Sequence, residues 1–236
     1  PKVDSSKGST RSDPGPEPRE ATVSQATSVE GATDAIIESI KSKLLERDTA
    51  VIWLMDRSGS MQRQRSMLAD RLEGYLNEVH ESQTDDSHSL MHIVVAFGDR
   101  FDKIAITNEP GKALIAIRKD YGLDPTGHEN VFSAIQWCED QFVKKNARNR
   151  SKNLMCVVCT DESGDDYLQL ERTIQTCRSS RLEVSVIGPS AVLGQMQGYH
   201  AYTANDNLTY YLPVVRGPDT ALPQRVMLPY WFRNVP

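Results

Sequence analysis

The sequence predicts an α/β fold, with a doubly wound and mostly parallel central sheet, one antiparallel edge strand and helices on both faces. Three runs of strand length are apolar almost throughout, which is typical of strands covered on both sides; they span 50–55, 90–97 and 154–160. Segments with apolar residues at helical spacing separate these runs, and such alternation favours parallel strands joined by helical crossovers. A short strand at 101–107 follows a tight turn and predicts an antiparallel hairpin at the sheet edge.

The spacing of apolar residues predicts the helices. The first begins near Ala32 and ends at Glu46 or Arg47, and the second covers 61–80. Their apolar stripes are, in order, Ile36, Ile37, Ile40, Leu44 and Leu45, then Met67, Leu68, Leu72, Leu76 and Val79. The remaining predicted elements are helices at 112–118, 131–145 and 167–179 and strands at 182–187, 199–203 and 210–215.

The chain divides into three segments by composition. Residues 1–31 contain four of the 12 prolines and only three large apolar residues, Val3, Val23 and Val29. Such a segment buries too little apolar surface to offset the entropy of ordering, so we expect a disordered tail or tether. Residues 32–215 form the predicted domain, and 216–236 form a C-terminal extension rich in proline and aromatic residues.

Composition excludes some classes of function. The chain has 236 residues, with 27 Lys and Arg against 32 Asp and Glu, and a net charge of -5 argues against nucleic-acid binding. We expect Arg57, Arg63 and Arg65 to be rim contacts rather than a basic patch. No apolar run reaches the roughly 20 residues of a membrane helix. Cys156 and Cys159 form a C-x-x-C within a strand, where they point to opposite faces, so free core cysteines are expected.

Two polar loops follow predicted strands of the sheet. A D-x-S-x-S motif, comprising Asp56, Ser58 and Ser60, comes after the first strand, and Asp161 follows the fourth. Ligands of open α/β sheets bind at the carboxyl ends of the strands, and carboxylate and hydroxyl oxygens there suit Mg²⁺. The alternative interpretation is a helix N-terminal cap with an incidental carboxylate. We expect the Asp56 carboxylate to face solvent at its strand end.

These residues resemble a known family. The run V-I-W-L-M-D-R-S-G-S-M, V-V-C-T-D at 157–161 and V-S-V-I-G at 184–188 resemble a von Willebrand factor type A (vWA) domain over about residues 45–215. The resemblance implies a metal-ion-dependent adhesion site, in which Asp56, Ser58, Ser60 and Asp161 hold Mg²⁺, with Mn²⁺ or Ca²⁺ as alternatives, and a partner's carboxylate completes the site. Two further segments, G-x-E-N-V and G-P-D-T-A-L-P-Q-R, resemble vWA-like proteins of bacterial extracytoplasmic systems. An extracytoplasmic or periplasmic location rests on this resemblance alone.

A third polar loop at 124–130, called the middle loop below, departs from the family pattern. Glu129 stands where the family has a metal-binding Thr, and Thr126 lies three positions earlier. We include Glu129 among the metal ligands, with a solvated glutamate favoured by the helix dipole as the alternative. His128 is a loop histidine that is more often neither ligand nor base. Asp165 and Asp166 are expected to cap the helix that starts near Tyr167.

The resulting hypothesis is a divalent-cation-dependent protein-interaction module that is not an enzyme. Its partner is a protein of unknown identity, and a membrane tether beyond these residues is left open. The alternative is a metal-dependent hydrolase that uses the same site, because a metal with open positions can activate water. Motifs of other enzyme classes are absent: there is no G-x-S-x-G, no phosphate-binding loop and no G-x-G-x-x-G after the first strand.

Overall fold

The computed structural model describes residues 29–82, 88–122, 124, 126–145, 151–188, 198–203 and 207–214. Residues 1–28 of the predicted N-terminal tail and the whole C-terminal extension lie outside these ranges, so those two predictions stay predictions. None of the described helices is both long and apolar enough to cross a membrane.

The described helices and strands follow the predicted order. The helices are α1 (Val29–Glu46), α2 (Met61–Ser82), α3 (Pro110–Arg118), α4 (Val131–Cys138) and α5 (Leu170–Ser180). The strands are β1 (Thr49–Asp56), β2 (Leu90–Phe97), β3 (Phe101–Thr107), β4 (Asn153–Cys159), β5 (Leu182–Ile187), β6 (Gly198–Thr203) and β7 (Thr209–Val214). The helix predicted over 131–145 changes to a π-helix at Glu139–Lys144, and a 3₁₀ turn, Tyr167–Gln169, precedes α5.

The central sheet has five strands in the order β3-β2-β1-β4-β5. Strands β2, β1, β4 and β5 pair in parallel, and β3 pairs antiparallel with β2 at the edge. The predicted fold class is therefore confirmed. Strands β6 and β7 form a separate antiparallel pair. The chain leaves β1 toward β2 on one side and returns to β4 on the other, which makes the gap between β1 and β4 the topological switch point.

Two apolar clusters cover the two faces of the sheet. Val51, Trp53 and Met55 of β1 pack with α1, α2 and α3, whereas its alternate residues Ala50 and Ile52 pack with α4 and α5. This arrangement is the physical reason that β1 is apolar throughout, since both sides of every parallel strand near the centre are buried. The cysteines behave as expected: Cys159 belongs to the first cluster and Cys156 to the second, and all four are free and buried.

Candidate functional site

The candidate site lies at the switch point. Strand β1 pairs with β4 in parallel register, with Met55 opposite Cys159, so the residues that follow both strands emerge at one edge of the sheet. Asp56 is the last residue of β1, and Thr160 and Asp161 come directly after β4. The topology thus brings together the D-x-S-x-S loop and the Asp161 loop.

Asp56 is fully buried, so the expectation that its carboxylate faces solvent is wrong. Its Oδ1 accepts a hydrogen bond from the Ser58 amide at 2.7 Å, and its Oδ2 accepts one from the Thr160 hydroxyl at 2.6 Å. Burial raises the pKa of Asp56, while the hydrogen bonds from Thr160 and Ser58 and the charge of Arg65 act in the opposite direction. The side chain is held by its loop rather than displayed to solvent.

The two serine hydroxyls of the motif point to each other. The Ser60 hydroxyl donates to the Ser58 hydroxyl at 3.0 Å. Among the described residues, neither hydroxyl accepts a hydrogen bond from a backbone amide of α2, so the helix-cap interpretation finds no support in their contacts. Both side chains are half-buried, which leaves their oxygens available beside the two carboxylates.

Asp161 carries the observation that most favours a cation. Its side chain is 1% exposed, and neither carboxylate oxygen has a partner at hydrogen-bond geometry. Burial raises the pKa of Asp161 to about 6; the nearby Ser60 hydroxyl lowers it, and the charges of Asp56 and Glu162 raise it further. Buried acceptors without donors are costly, and a bound cation would satisfy them.

The donor set fits a hard cation that retains water. No group of three His, Cys, Asp or Glu side chains in the described ranges is arranged to hold a metal. The donors at the centre of the candidate site are therefore the two carboxylates of Asp56 and Asp161 and the two serine hydroxyls. Mg²⁺ prefers oxygen ligands and usually keeps several waters, so it needs only one or two carboxylates from the protein. The residues that would hold it are Asp56, Ser58, Ser60 and Asp161.

Glu129 is buried, with 6% of its surface exposed, which contradicts the solvated alternative. Its backbone is tied to Asp165 in both directions: its amide donates to Oδ2 of Asp165 at 3.1 Å, and its carbonyl accepts from the Asp165 amide at 3.0 Å. The acidic neighbours that raise the pKa of Asp161 are Asp56 and Glu162. Glu129 is therefore joined by its backbone to the loop that carries Asp161, and its role as a metal ligand stays a prediction.

The other polar residues of the middle loop are engaged elsewhere. The exposed Thr126 donates from its hydroxyl to Asp124 Oδ1 at 2.7 Å. The His128 ring Nδ1 lies 3.4 Å from Oδ2 of Asp165, with about half of the side chain exposed. These contacts keep Thr126 and His128 at the outer side of the loop.

Of the three arginines predicted to be rim contacts, Arg57 and Arg65 are buried, so the prediction is wrong for these two. Arg57 is buried and pairs with Asp102 of β3. Arg65 is buried, donates to the carbonyl oxygens of Asp56 and Ser58, and stacks on the Tyr121 ring at 5.0 Å. They fix the backbone of the D-x-S-x-S loop.

The sequence contained a signal for Arg65. It falls on the buried face of α2, four residues after Met61 and three before Leu68, both of which have no exposed surface. A charged residue at such a position is rarely buried without a partner. Its place on the inner stripe therefore indicated a structural role for Arg65.

Asp165 and Asp166 also differ from expectation. The Asp166 carboxylate makes no cap for the turn that follows it; it accepts hydrogen bonds from the Phe132 and Ser133 amides of α4, at 3.1 and 2.6 Å. Local sequence pattern could not reveal this, because the donors lie more than 30 residues away.

The chain is similar to several solved structures at low identity. Proximal thread matrix protein 1 from the mussel byssus is 16% identical, with a TM-score of 0.43, over 60% of this chain and 36% of that chain. Manganese-loaded TRAP protein of Plasmodium vivax is 16% identical, with a TM-score of 0.42, over 61% and 59% of the two chains. BatB from Bacteroides thetaiotaomicron, described as a conserved hypothetical protein, is 15% identical, with a TM-score of 0.41, over 69% and 79%.

This chain spans 36% and 59% of the first two of these proteins, well short of their full lengths. No family model and no curated protein matches the sequence. At these identities and scores, the likenesses carry no conclusion about metal binding or partners. The architecture itself, with a five-stranded, mostly parallel sheet and helices on both faces, is consistent with the vWA-like fold that the sequence resembles.

Proposed function

We propose that this chain is a protein-interaction module that depends on a divalent cation, Mg²⁺ in the first instance, with Mn²⁺ or Ca²⁺ as alternatives. The supporting observation is the pair of buried Asp161 oxygens that lack hydrogen-bond partners beside Asp56 and the motif hydroxyls. A cation there would relieve the repulsion between the carboxylates and satisfy those oxygens. Its open coordination positions would be filled by water or by an oxygen of a partner protein.

The surroundings support binding rather than hydrolysis. A hydrolase needs a general base within hydrogen-bond reach of the water that attacks. His128, the histidine of the middle loop, contacts Asp165 at 3.4 Å instead. Divalent-dependent turnover of generic esters or phosphates by the purified protein would contradict the proposal and favour the hydrolase.

The direct test is calorimetric titration of the protein with Mg²⁺ and Mn²⁺. We expect binding by the unaltered protein and its loss in Asp161→Asn, which removes a charge without changing shape. Asp34→Asn is the matched control, because Asp34 is an exposed acid paired with Arg71 on another part of the surface. If Asp161→Asn binds either cation as tightly as the unaltered protein does, the metal site is not here.

A further inference from the structure

The N-terminus of α4 is capped from a distant loop. The Asp166 carboxylate is bidentate: its Oδ1 accepts a hydrogen bond from the Phe132 amide at 3.1 Å, and its Oδ2 accepts one from the Ser133 amide at 2.6 Å. Asn130, which occupies the cap position of α4 in the chain, makes no side-chain hydrogen bond of that kind. The loop after β4 therefore supplies the cap that the local sequence does not provide.

Asp165 extends the same contact by one residue. Its backbone and carboxylate form the reciprocal pair of hydrogen bonds with the Glu129 backbone at 3.0 and 3.1 Å. Gly164 permits the close approach, because it has φ of +93° and an added Cβ would lie 2.8 Å from the Phe132 ring. Residues 164–166 are thus locked against 129–133, and we call this set of contacts the acidic clamp.

The clamp joins the loop that carries Asp161 to the middle loop and the start of α4. Asp161 and Glu162 lie three to five residues before the clamp aspartates, on the same loop, and Glu129 lies within the segment that they hold. Helix α4 itself packs on one face of the sheet, since Val131 and Ile135 belong to the second apolar cluster. The clamp therefore attaches the Asp161 loop to α4, and through α4 the core fixes the position of this loop relative to β1.

We propose that Asp165 and Asp166 are positioning residues that set the geometry of the metal site without touching the metal. This inference rests on the proposed function. Groups that orient metal ligands from outside the coordination sphere typically change affinity by roughly 10–100-fold when removed. Neither aspartate needs to ligate, because each carboxylate is already committed to amides of the middle loop or of α4.

The ratio of Mg²⁺ to Ca²⁺ affinity distinguishes a loss of positioning from a general loss of protein stability. Mg²⁺ demands near-ideal octahedral geometry, whereas Ca²⁺ accepts variable geometry and longer bonds. Loosening the clamp should then weaken Mg²⁺ binding more than Ca²⁺ binding. A variant that is merely less stable would bind both cations in the same ratio as the unaltered protein.

The experiment compares Asp166→Ala and Asp166→Asn with Asp48→Ala. Asp48 is a matched control, because its carboxylate also joins loops by accepting from the Ser89 amide, at 2.8 Å, and from Lys152, at 3.0 Å. Asp48 lies immediately before β1, at the amino ends of the parallel strands, whereas the candidate site lies at their carboxyl ends. Affinities for Mg²⁺ and Ca²⁺ are measured by calorimetry, and the melting temperature is measured on the same samples.

We expect Asp166→Ala to weaken Mg²⁺ binding about 10-fold or more and to lower the ratio of Mg²⁺ to Ca²⁺ affinity at least about 3-fold. Asp166→Asn should restore part of this loss, because its carbonyl oxygen can accept one of the two hydrogen bonds. Asp48→Ala should leave the ratio unchanged even if it melts earlier. If Asp166→Ala does not fold, Asp165→Asn is measured in its place and should lower the ratio in the same direction.

An unchanged ratio in the Asp166 variants, with clear Mg²⁺ binding by the unaltered protein, would overturn the positioning role alone. Absence of Mg²⁺, Mn²⁺ and Ca²⁺ binding by the unaltered protein would overturn the proposed function and this inference with it. The two failures are therefore distinguishable from the first titration.

Discussion

The Thr160 hydroxyl donates a hydrogen bond of 2.6 Å to Oδ2 of Asp56. The same hydroxyl oxygen accepts from the Glu162 amide at 3.1 Å, so it is oriented by the loop that follows β4. Hydrogen bonds to ionised groups are shorter and stronger than neutral ones. This one joins the ends of β1 and β4 across the crevice and holds the two halves of the candidate site together.

Thr160→Val should destabilise the protein, because it keeps the shape of the side chain but leaves a buried carboxylate oxygen without its donor. We expect a loss of about 1–3 kcal/mol in the free energy of unfolding, measured by chemical denaturation. Thr160→Ser retains the hydroxyl and should lose clearly less. Equal stability of the Val variant and the unaltered protein would show that the hydrogen bond contributes nothing net.

Gly188→Ala should destabilise far more than an alanine elsewhere. A Cβ on Gly188 would lie 1.6 Å from the Thr160 carbonyl oxygen, a backbone atom that cannot swing away. We expect a loss of about 3 kcal/mol or more in the free energy of unfolding, or failure to fold. Gly74→Ala is the control: its Cβ meets nothing within 4 Å and lies within α2, so this variant should gain about 0.5–1 kcal/mol. Similar unfolding curves for both variants would contradict the close approach.

His92 should make stability depend on pH. It is buried and accepts a hydrogen bond from the Trp53 indole at 3.2 Å, and burial lowers its pKa to about 4 from the ordinary histidine value of 6.5. Between these values the unfolded chain binds the proton and the folded chain does not, so this contribution to stability is complete above pH 6.5 and falls as the pH falls toward 4.

His92→Gln tests this contribution because it removes the titration and keeps a hydrogen-bond acceptor. From pH 7 to pH 4.5, the unaltered protein should lose up to about 3 kcal/mol relative to the variant in denaturant unfolding, since each pKa unit corresponds to about 1.4 kcal/mol. A constant difference between the two proteins across this range would show that His92 titrates normally or is not buried.

The central architecture could be predicted from the sequence because its signals are local. The apolar run of β1 reports burial on both faces, and the bounds predicted for β2, β3 and β5 match those in the structure. The D-x-S-x-S motif and Asp161 could be placed together because parallel strands end at one edge of the sheet.

The sequence could not predict which distant groups pair. The burial of Asp56 depends on Thr160, and the cap on α4 comes from Asp166, more than 30 residues from its donors. A local rule assigned Asp165 and Asp166 to the helix that follows them, but tertiary contacts directed both carboxylates to the middle loop and α4. The prediction that Arg57 is a rim contact is wrong for the same reason, since its ion-pair partner Asp102 lies on another strand, β3.

Asp161→Asn should stabilise the protein in the absence of metal. The Asp161 carboxylate is desolvated and near the charges of Asp56 and Glu162, so its ionised form is unfavourable without a counterion. At neutral pH with a chelator, the variant should melt at a higher temperature than the unaltered protein. Addition of Mg²⁺ should raise the melting temperature of the unaltered protein only. A lower melting temperature of the variant with chelator would show that the carboxylate has stabilising contacts.

The last prediction concerns the charge of the middle loop and the kind of partner that the site accepts. If Glu129 joins Asp56 and Asp161 around a divalent cation, three ionised carboxylates leave the site with one net negative charge. A further carboxylate strengthens cation binding, because ligand charge is a main determinant of affinity for hard cations. The same charge repels an incoming acidic side chain, so the module would hold its metal without a partner and favour neutral or basic surfaces.

Glu129→Thr should therefore weaken Mn²⁺ binding and strengthen binding of acetate or a Glu-containing peptide to the metal-loaded protein, both measured by calorimetry. Because Glu129 is buried, Glu129→Gln is examined beside it, since it removes the charge without opening a cavity. Glu162→Gln is the comparison, because the charge of Glu162, like that of Asp56, raises the pKa of Asp161. If only Glu162→Gln changes the two affinities, Glu162 supplies the third charge, and Glu129 contributes only to the structure of the middle loop.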